Sequence, residues 1–347
     1  MPRLLCALTV SLCLLGLESA RAADWDAGLK QEIERIDRES PGKLGVYVKR
    51  LKQGDSFNYG ADQRWYLGST VKVPIAIAVL QQVDAGQLKL SDTLTLEPGD
   101  RIEAGQLVWR KPGAVISIDE LLQRMLGDSD NTAANMLIRK VGLAQVNRSA
   151  QAAMGADGLG PLSTLAEVRY DVYAELHPAA RKLSNDQLVT VASAPMGPQR
   201  VEALRKALDV PASALQVKTI DEAYDRYYRR GLNAATLVAY GAMLEKLVQG
   251  KLLQPASTQK LFTAMKIDIF TNYRLQAGLP RSVKFIHKTG TQHHTACHAG
   301  VIQPQNGSAD AIVVATCASG LDEQREAGKV FERVGRAITK TVLKKGA

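Results

Sequence analysis

The sequence predicts an α/β protein whose antiparallel sheet is built from both termini, flanked by helices, with an all-helical region inserted between the two sets of strands. Three observations carry that expectation. Extended segments rich in β-formers occur near residues 44–65 and return only at Val283-Lys284-Phe285-Ile286. The long stretch between them has helical spacing, and the chain closes on an amphipathic helix over about 321–345. Strands at both ends around a helical middle imply one sheet made from the two ends. The 347 residues are 46% hydrophobic and 23% charged, which allows a large core and excludes a disordered, collagen-like or disulfide-dense chain. No internal repeat is evident.

Taken in order, Met1-Pro2-Arg3 precedes an apolar run from Leu4 to Leu17 and the small-residue pattern Ala20-Arg21-Ala22. These are the parts of a secretory signal peptide over 1–22. The run is too short to span a bilayer, and no later stretch approaches that length, so a periplasmic or secreted protein with no membrane anchor is expected. Neither Cys6 nor Cys13 follows the small residue that lipid attachment requires.

Trp25, Leu29, Ile33 and Ile36 recur at helical spacing among charges, predicting a surface helix over 25–38. Leu44 to Leu51 alternates, Lys52-Gln53-Gly54-Asp55 supplies a turn, and Ser56 to Trp65 continues extended, which reads as a hairpin. Helices are expected around 70–85, 117–126, 131–141, 164–176, 197–207 and 233–249. Near the end, Ala299-Gly300-Val301-Ile302 and Ala311-Ile312-Val313-Val314-Ala315 flank Asn306-Gly307, a strong hairpin signal. A turn centred there sets Cys297 nearly opposite Cys317, and a disulfide, free buried thiols or metal ligation are all open for that pair. The expected division is a sheet domain of 23–66 with 275–347 and a helical domain of 67–274.

The formal charge is +9, and the predicted leader holds only two arginines and one glutamate, so the processed chain stays basic. Such a balance suits nucleic acid or an anionic small molecule. Export disfavours nucleic acid. The basic residues are also scattered, and at 5% aromatic content no base-stacking platform is visible.

Chemistry concentrates in three short motifs. Ser69-Thr70-Val71-Lys72 opens the apolar run Val73 to Leu80, which lacks a polar face and predicts a buried helix. A serine and a lysine three apart lie one turn from each other. The hydroxyl sits where the helix dipole favours negative charge, and an amine in apolar surroundings is a proton acceptor, so together they form a nucleophile with its base. The spacing alone decides nothing, since Ser40…Lys43 and Ser257…Lys260 share it. Ser40 precedes a Pro41-Gly42 turn, however, and Ser257 starts a helix whose polar residues mark it as solvent-facing. Ser129-Asp130-Asn131 falls at a break between two helices, where a helix cap is the plain reading. Lys288-Thr289-Gly290-Thr291 ends the strand begun at Val283 and, alone, reads as an exposed strand end.

Together, in this order and these contexts, the three motifs resemble those of the class A β-lactamases and, more broadly, the penicillin-recognising serine enzymes. The resemblance covers Ser69 to Asn135 and about Leu232 to the C-terminus. It implies a β-lactamase or transpeptidase-like fold with an enlarged insertion at about 150–232. It also implies that Ser69 is the acylating nucleophile, Lys72 its proton acceptor and Ser129 the relay to the departing ring nitrogen. Asn131 would hold the substrate amide and Lys72, and Lys288 with Thr289 the substrate carboxylate. The backbone N–H groups of Ser69 and Thr291 would form the oxyanion hole.

One part of the family pattern is missing. No Glu-x-x-x-Asn segment lies between the second and third motifs, so the base that activates the deacylating water is unassigned. Glu167, Asp171 and Glu175 recur every four residues, but neighbouring charges such as Arg169 make a solvated face the better reading. His287, His293, His294 and His298 crowd the third motif with Cys297 among them, which leaves zinc open although no standard zinc signature is matched. In an extended segment His293 and His294 would point to opposite faces, so both bind one ion only if a turn lies between them. A serine mechanism requires no cofactor. The leading expectation is therefore an exported, monomeric serine β-lactamase acting on a β-lactam. A D,D-peptidase acting on D-alanyl peptides and a penicillin sensor that is acylated once stand as alternatives.

Overall fold

The computed structural model describes residues 25–265, 273–303 and 310–343. The predicted leader and the Asn306-Gly307 turn lie outside these. Helix α1 spans 25–39, and its apolar stripe of Trp25, Leu29, Ile33 and Ile36 is buried. Strands β1 (Lys43–Arg50) and β2 (Ser56–Tyr59) form the expected hairpin. Leu44 to Val48 are buried without a break, in place of the predicted alternation, because helices cover both faces of the sheet. The second strand also ends early. After Gly60 the chain leaves the sheet, and β3 (Arg64–Tyr66) pairs instead with β6 (Ala234–Thr236).

A 3₁₀ turn, Gly68–Val71, leads into α2 (Lys72–Asp84), buried from Lys72 to Leu80 as its unbroken apolar run requires. A small hairpin of β4 (Thr93–Thr95) and β5 (Val115–Ser117) precedes α3 (Ile118–Leu126), α4 (Asn131–Val141) and α5 (Leu143–Met154). Next come α6 (Leu165–Leu176), α7 (Asn185–Ser193), α8 (Pro198–Leu208) and α9 (Ile220–Arg229). Then come α10 (Leu237–Val248), which lies on β1 and β9, and α11 (Pro255–Met265). The predicted helix over 233–249 thus begins later, because residues 234–236 are the β6 partner of β3. Helix α11 is not solvent-facing as its polar residues suggest: Ser257, Thr258, Leu261 and Phe262 are buried, and Ser257 Oγ donates to Asp84 Oδ1 at 2.5 Å.

The chain closes with β7 (Phe285–Gln292), β8 (Thr295–Ile302), β9 (Ile312–Ser319) and α12 (Ala327–Ile338). The five-stranded sheet runs β2-β1-β9-β8-β7, antiparallel throughout and drawn from both ends of the described chain. Its two faces feed different cores. Tyr47, Val301, Val313 and Ala315 pack on α2 and α10, whereas Val46, Val48, Ile302 and Val314 pack on α1 and α12. A third core joins α6 to α9, where Val172, Tyr173, Leu188, Leu204, Tyr224 and Tyr227 meet. No helix among the described residues is long and apolar enough to cross a membrane.

Candidate active site

The site forms where the 3₁₀ turn before α2 presses against β7. Two glycines permit that approach. Gly68 has φ +54, and a Cβ there would stand 2.8 Å from Thr291 N. A Cβ on Gly290 would collide with the Leu67 carbonyl oxygen and lie 3.2 Å from Ser69 N. With both absent, the main-chain nitrogens of Ser69 and Thr291 come to the same end of the cleft, two fixed donors of the kind that stabilise a developing oxyanion.

Lys72 is the first residue of α2 and is fully buried. Its Nζ lies 3.1 Å from Ser69 Oγ, 2.6 Å from Asn131 Oδ1, 2.5 Å from the Ser129 carbonyl oxygen and 3.2 Å from Ser129 Oγ. Burial, and then the nearby Lys288 charge, pull this amine well below its ordinary value, with Asp130 opposing them. The partners then fix the protons. Asn131 Nδ2 donates to the Glu103 carbonyl at 2.9 Å, so the amide oxygen must face the lysine. A neutral amine has two N–H groups, and two of its neighbours, the Asn131 amide oxygen and the Ser129 carbonyl, can only accept. Its lone pair is left for the Ser69 hydroxyl proton.

Ser129 stands in the loop between α3 and α4 with φ 57. The plain reading of its motif as a helix cap is also correct, for Asp130 caps α4 by accepting from Ala133 N at 2.9 Å and takes Leu107 N at 2.8 Å. The cap fixes the loop, and the loop aims the serine. Ser129 Oγ lies 3.0 Å from Lys288 Nζ as well as beside Lys72, so one hydroxyl bridges two amines.

Lys288 is fully buried and also donates to the Thr289 carbonyl at 3.0 Å, which overturns the reading of this motif as an exposed strand end. Burial, then the Arg274 guanidinium, bring its amine down to about 7. Thr289 is half-buried and Thr291 is exposed on the same strand.

No motif or spacing points to Arg274. It precedes the third motif without a motif of its own, yet it is 2% exposed and sits at φ 55. Its Nη1 donates to the Gly290 and Cys297 carbonyls, each at 2.9 Å, and its Nη2 to Thr291 Oγ1 at 2.7 Å. It therefore braces the strand that carries Lys288 and adds cationic charge beside it. A second unpredicted cluster ties α6 and α9 to the same strand. Arg169 of α6 is buried between Glu103 and Tyr224, and Tyr224 Oη donates to Gln292 Oε1 at 3.1 Å.

The α6 carboxylates do not form a solvated face. Asp171 is 2% exposed and pairs with Arg181 and, at 3.0 Å, Arg230. Glu167 pairs with Arg181 at 2.6 Å, and Glu175 approaches Arg230 at 4.0 Å. Among the described residues, no hydrogen bond joins any of the three to Ser69, Lys72, Ser129 or Lys288.

The four histidines also separate. Cys297 and Cys317 form a disulfide, so neither is a thiolate ligand. His287 and His298 are a buried pair, with His298 Nε2 2.8 Å from His287 Nδ1 and His287 Nε2 3.0 Å from Gln276 Oε1. Leu275 N donates to His298 Nδ1 at 3.2 Å, which makes that nitrogen an acceptor and places both imidazole protons on Nε2. His293 and His294 lie at the far end of β7, and a turn between the strands does bring them together.

Known proteins resemble this chain in sequence and fold. The model of the beta-lactamase enzyme family matches residues 28–342. A β-lactamase of Rhodobacter capsulatus is 23% identical over 332 residues, covering 94% of each chain. β-Lactamase CTX-M-97 of Escherichia coli is 24% identical, over 80% of this chain and 77% of its own. Among solved structures, a β-lactamase of Xanthomonas campestris superposes with TM-score 0.68 at 23% identity, covering 92% of this chain and 99% of that one. A variant of PBP-A in acyl-enzyme complex with penicillin G gives 0.67 at 23% identity, covering 92% and 97%.

Proposed function

We propose that this chain, which belongs to the beta-lactamase enzyme family, is an exported serine β-lactamase acting through an acyl-enzyme at Ser69. The supporting observation is the position of Lys72 Nζ, buried and within hydrogen-bond distance of both serine hydroxyls. Its lone pair takes the Ser69 proton as Oγ attacks the ring carbonyl, and the N–H groups of Ser69 and Thr291 hold the resulting oxyanion. As the C–N bond breaks, Ser129 gives its proton to the ring nitrogen and recovers one from Lys72, which returns that amine to its neutral form. Lys288, Thr289 and Thr291 receive the substrate carboxylate, and Asn131 its amide.

Hydrolysis of the ester needs a second proton acceptor or the same one again. Since the α6 carboxylates are paired with Arg181 and Arg230, the group at hand beside Ser69 Oγ is Lys72, which we assign to both half-reactions. The same pairing favours a second reading, in which deacylation is slow and the protein is a penicillin-binding or D,D-peptidase-type enzyme that holds its acyl group.

Intact-mass measurement after mixing with a penicillin and with a carbapenem separates the two. Consumed drug with unmodified protein is the expected result, and a lasting adduct selects the second reading. No adduct and no consumption overturns both. Ser69→Ala is expected to lose about 10⁴-fold or more in kcat/KM and to form no adduct. Export is checked by cell fractionation and by sequencing the N-terminus of the recovered protein, expected to start near Ala23.

A further inference from the structure

The connection between β7 and β8 is only two residues long, because Gln292 and Thr295 still pair. Those two residues are His293 and His294. His294 sits at φ 55, a left-handed conformation that costs a residue other than glycine roughly 1 kcal/mol or more and that glycine or asparagine ordinarily fills. The turn defeats the alternation of an extended chain and stacks the two rings, with centroids 3.9 Å apart and planes 23° from parallel. His293 is 8% exposed, and its Nε2 lies 2.7 Å from Oδ1 of Asp221, in the first turn of α9. One ligand atom from each of Asp221, His293 and His294 lies within 4.8 Å of the others.

We propose that Asp221, His293 and His294 form a binding site for a divalent transition-metal ion of the zinc class, fastening the β7–β8 turn to the start of α9. Two imidazoles and a carboxylate suit zinc and its neighbours, whereas magnesium and calcium prefer all-oxygen shells. Tetrahedral coordination at about 2.0–2.2 Å sets ligand atoms roughly 3.3 Å apart, so small side-chain rotations close the site. Water takes the fourth position. A further carboxylate stands at the turn, since His294 N donates to Glu323 Oε2 at 3.0 Å.

The parts that would hold the ion are already braced. Tyr228 Oη donates to the His293 carbonyl at 2.7 Å, and the Tyr224 ring stands 5.0 Å from that of His293. A backbone held in an unfavourable conformation beside convergent ligand atoms is where strain and function tend to coincide. Bound there, the ion secures the end of the strand two residues beyond Thr291, at the rim of the cleft, and contributes no reacting group.

The test uses the processed chain without a histidine tag. Zinc chloride is titrated by calorimetry and cobalt chloride by visible absorption, alongside Asp221→Asn and His294→Asn, the latter chosen because asparagine tolerates the left-handed turn. One ion per chain is expected, with cobalt bands of tetrahedral intensity, binding weakened at least about 10-fold in either variant, and a zinc-dependent rise in Tm confined to the wild type. No saturable binding to the wild type, or equal binding by both variants, overturns the proposal. None of these readouts involves Ser69, so the result is independent of the acylation chemistry.

Discussion

Two buried amines sharing one hydroxyl, Lys72 and Lys288 on either side of Ser129, set the pH behaviour of the site. Lys72 must be neutral to accept a proton, and it is pulled well below the usual lysine range. In the proposed mechanism Lys288 must be charged to hold an anionic substrate, and burial beside the Arg274 guanidinium brings it down to about 7. Below that value Lys288 is a cation, so kcat/KM is expected to fall as pH rises through about 7, with the loss carried by KM. A bound carboxylate replaces part of the lost hydration and keeps the ammonium charged, so kcat should hold to higher pH than kcat/KM. Lys288→Arg keeps the charge and should shift the alkaline limb upward; an unmoved limb would assign it to another group. Arg274 makes a separate prediction. Its donors hold Gly290, Thr291 and Cys297 together, so Arg274→Ala should lower kcat/KM about 10- to 100-fold, the range for losing charged hydrogen bonds, mainly by raising KM for β-lactams. Lys72 was legible because a serine and a lysine three apart mean something on a buried helix, and Lys288 through its place in the third motif. Arg274 was not, because its role comes from a fold that sets it against Gly290 of β7 and Cys297 of β8.

At the scale of elements, legibility followed whether an element's own sequence decided its fate. Helix α4 runs over the residues its caps predict, with Asp130 before it and Gly142 after. The predicted strand continuation to Trp65 failed because the partner of β3 is 170 residues away. Helix α9 went unread although Ile220, Ala223, Tyr224 and Tyr227 make a buried stripe at helical spacing. What that stripe packs on is assembled from α6 and from helices α7 and α8, which local patterning cannot pair. The β8–β9 register shows the opposite case. Asn306-Gly307 predicted that Cys297 and Cys317 would face each other, and they are direct partners in the ladder and disulfide-bonded. The bridge closes a span of 20 residues, so the Cys297→Ala, Cys317→Ala double variant should lose about 3 kcal/mol of stability, read as a lower urea midpoint. A wild-type midpoint that does not move under thiol reductant would show the bridge to be dispensable.

For the molecule as a whole, acid stability depends on the buried histidine pair between the sheet and the segment carrying Arg274. His298 takes the Leu275 N–H and passes its own proton to His287, which donates to Gln276, so the relay ties residues 275 and 276 to β7 and β8. It works only when both rings are neutral. Burial, then the Lys288 charge, hold His287 down at about 4; burial, then His287, Arg274 and Lys288, hold His298 well below 6.5. In the unfolded chain both return to about 6.5 and bind protons that the folded chain refuses. The unfolded state therefore gains protons first as pH falls. Stability is complete above about 6.5 and is lost on the way down to about 4, with a slope of up to about 1.4 kcal/mol per pH unit for each ring. For His287 alone the loss reaches about 3 kcal/mol by pH 4, a large share of the roughly 5–15 kcal/mol that holds a domain together. The carboxylates held low by their partners, among them Glu32 and Asp55, start from ordinary values of 4.5 and 3.8 and add their losses mostly below this window. Urea unfolding between pH 7 and 4 should show the decline, and His287→Gln, which keeps a side-chain donor and acceptor but cannot take up a proton here, should flatten it by up to one proton. A variant whose stability falls as steeply as the wild type's would place the acid sensitivity elsewhere in the fold.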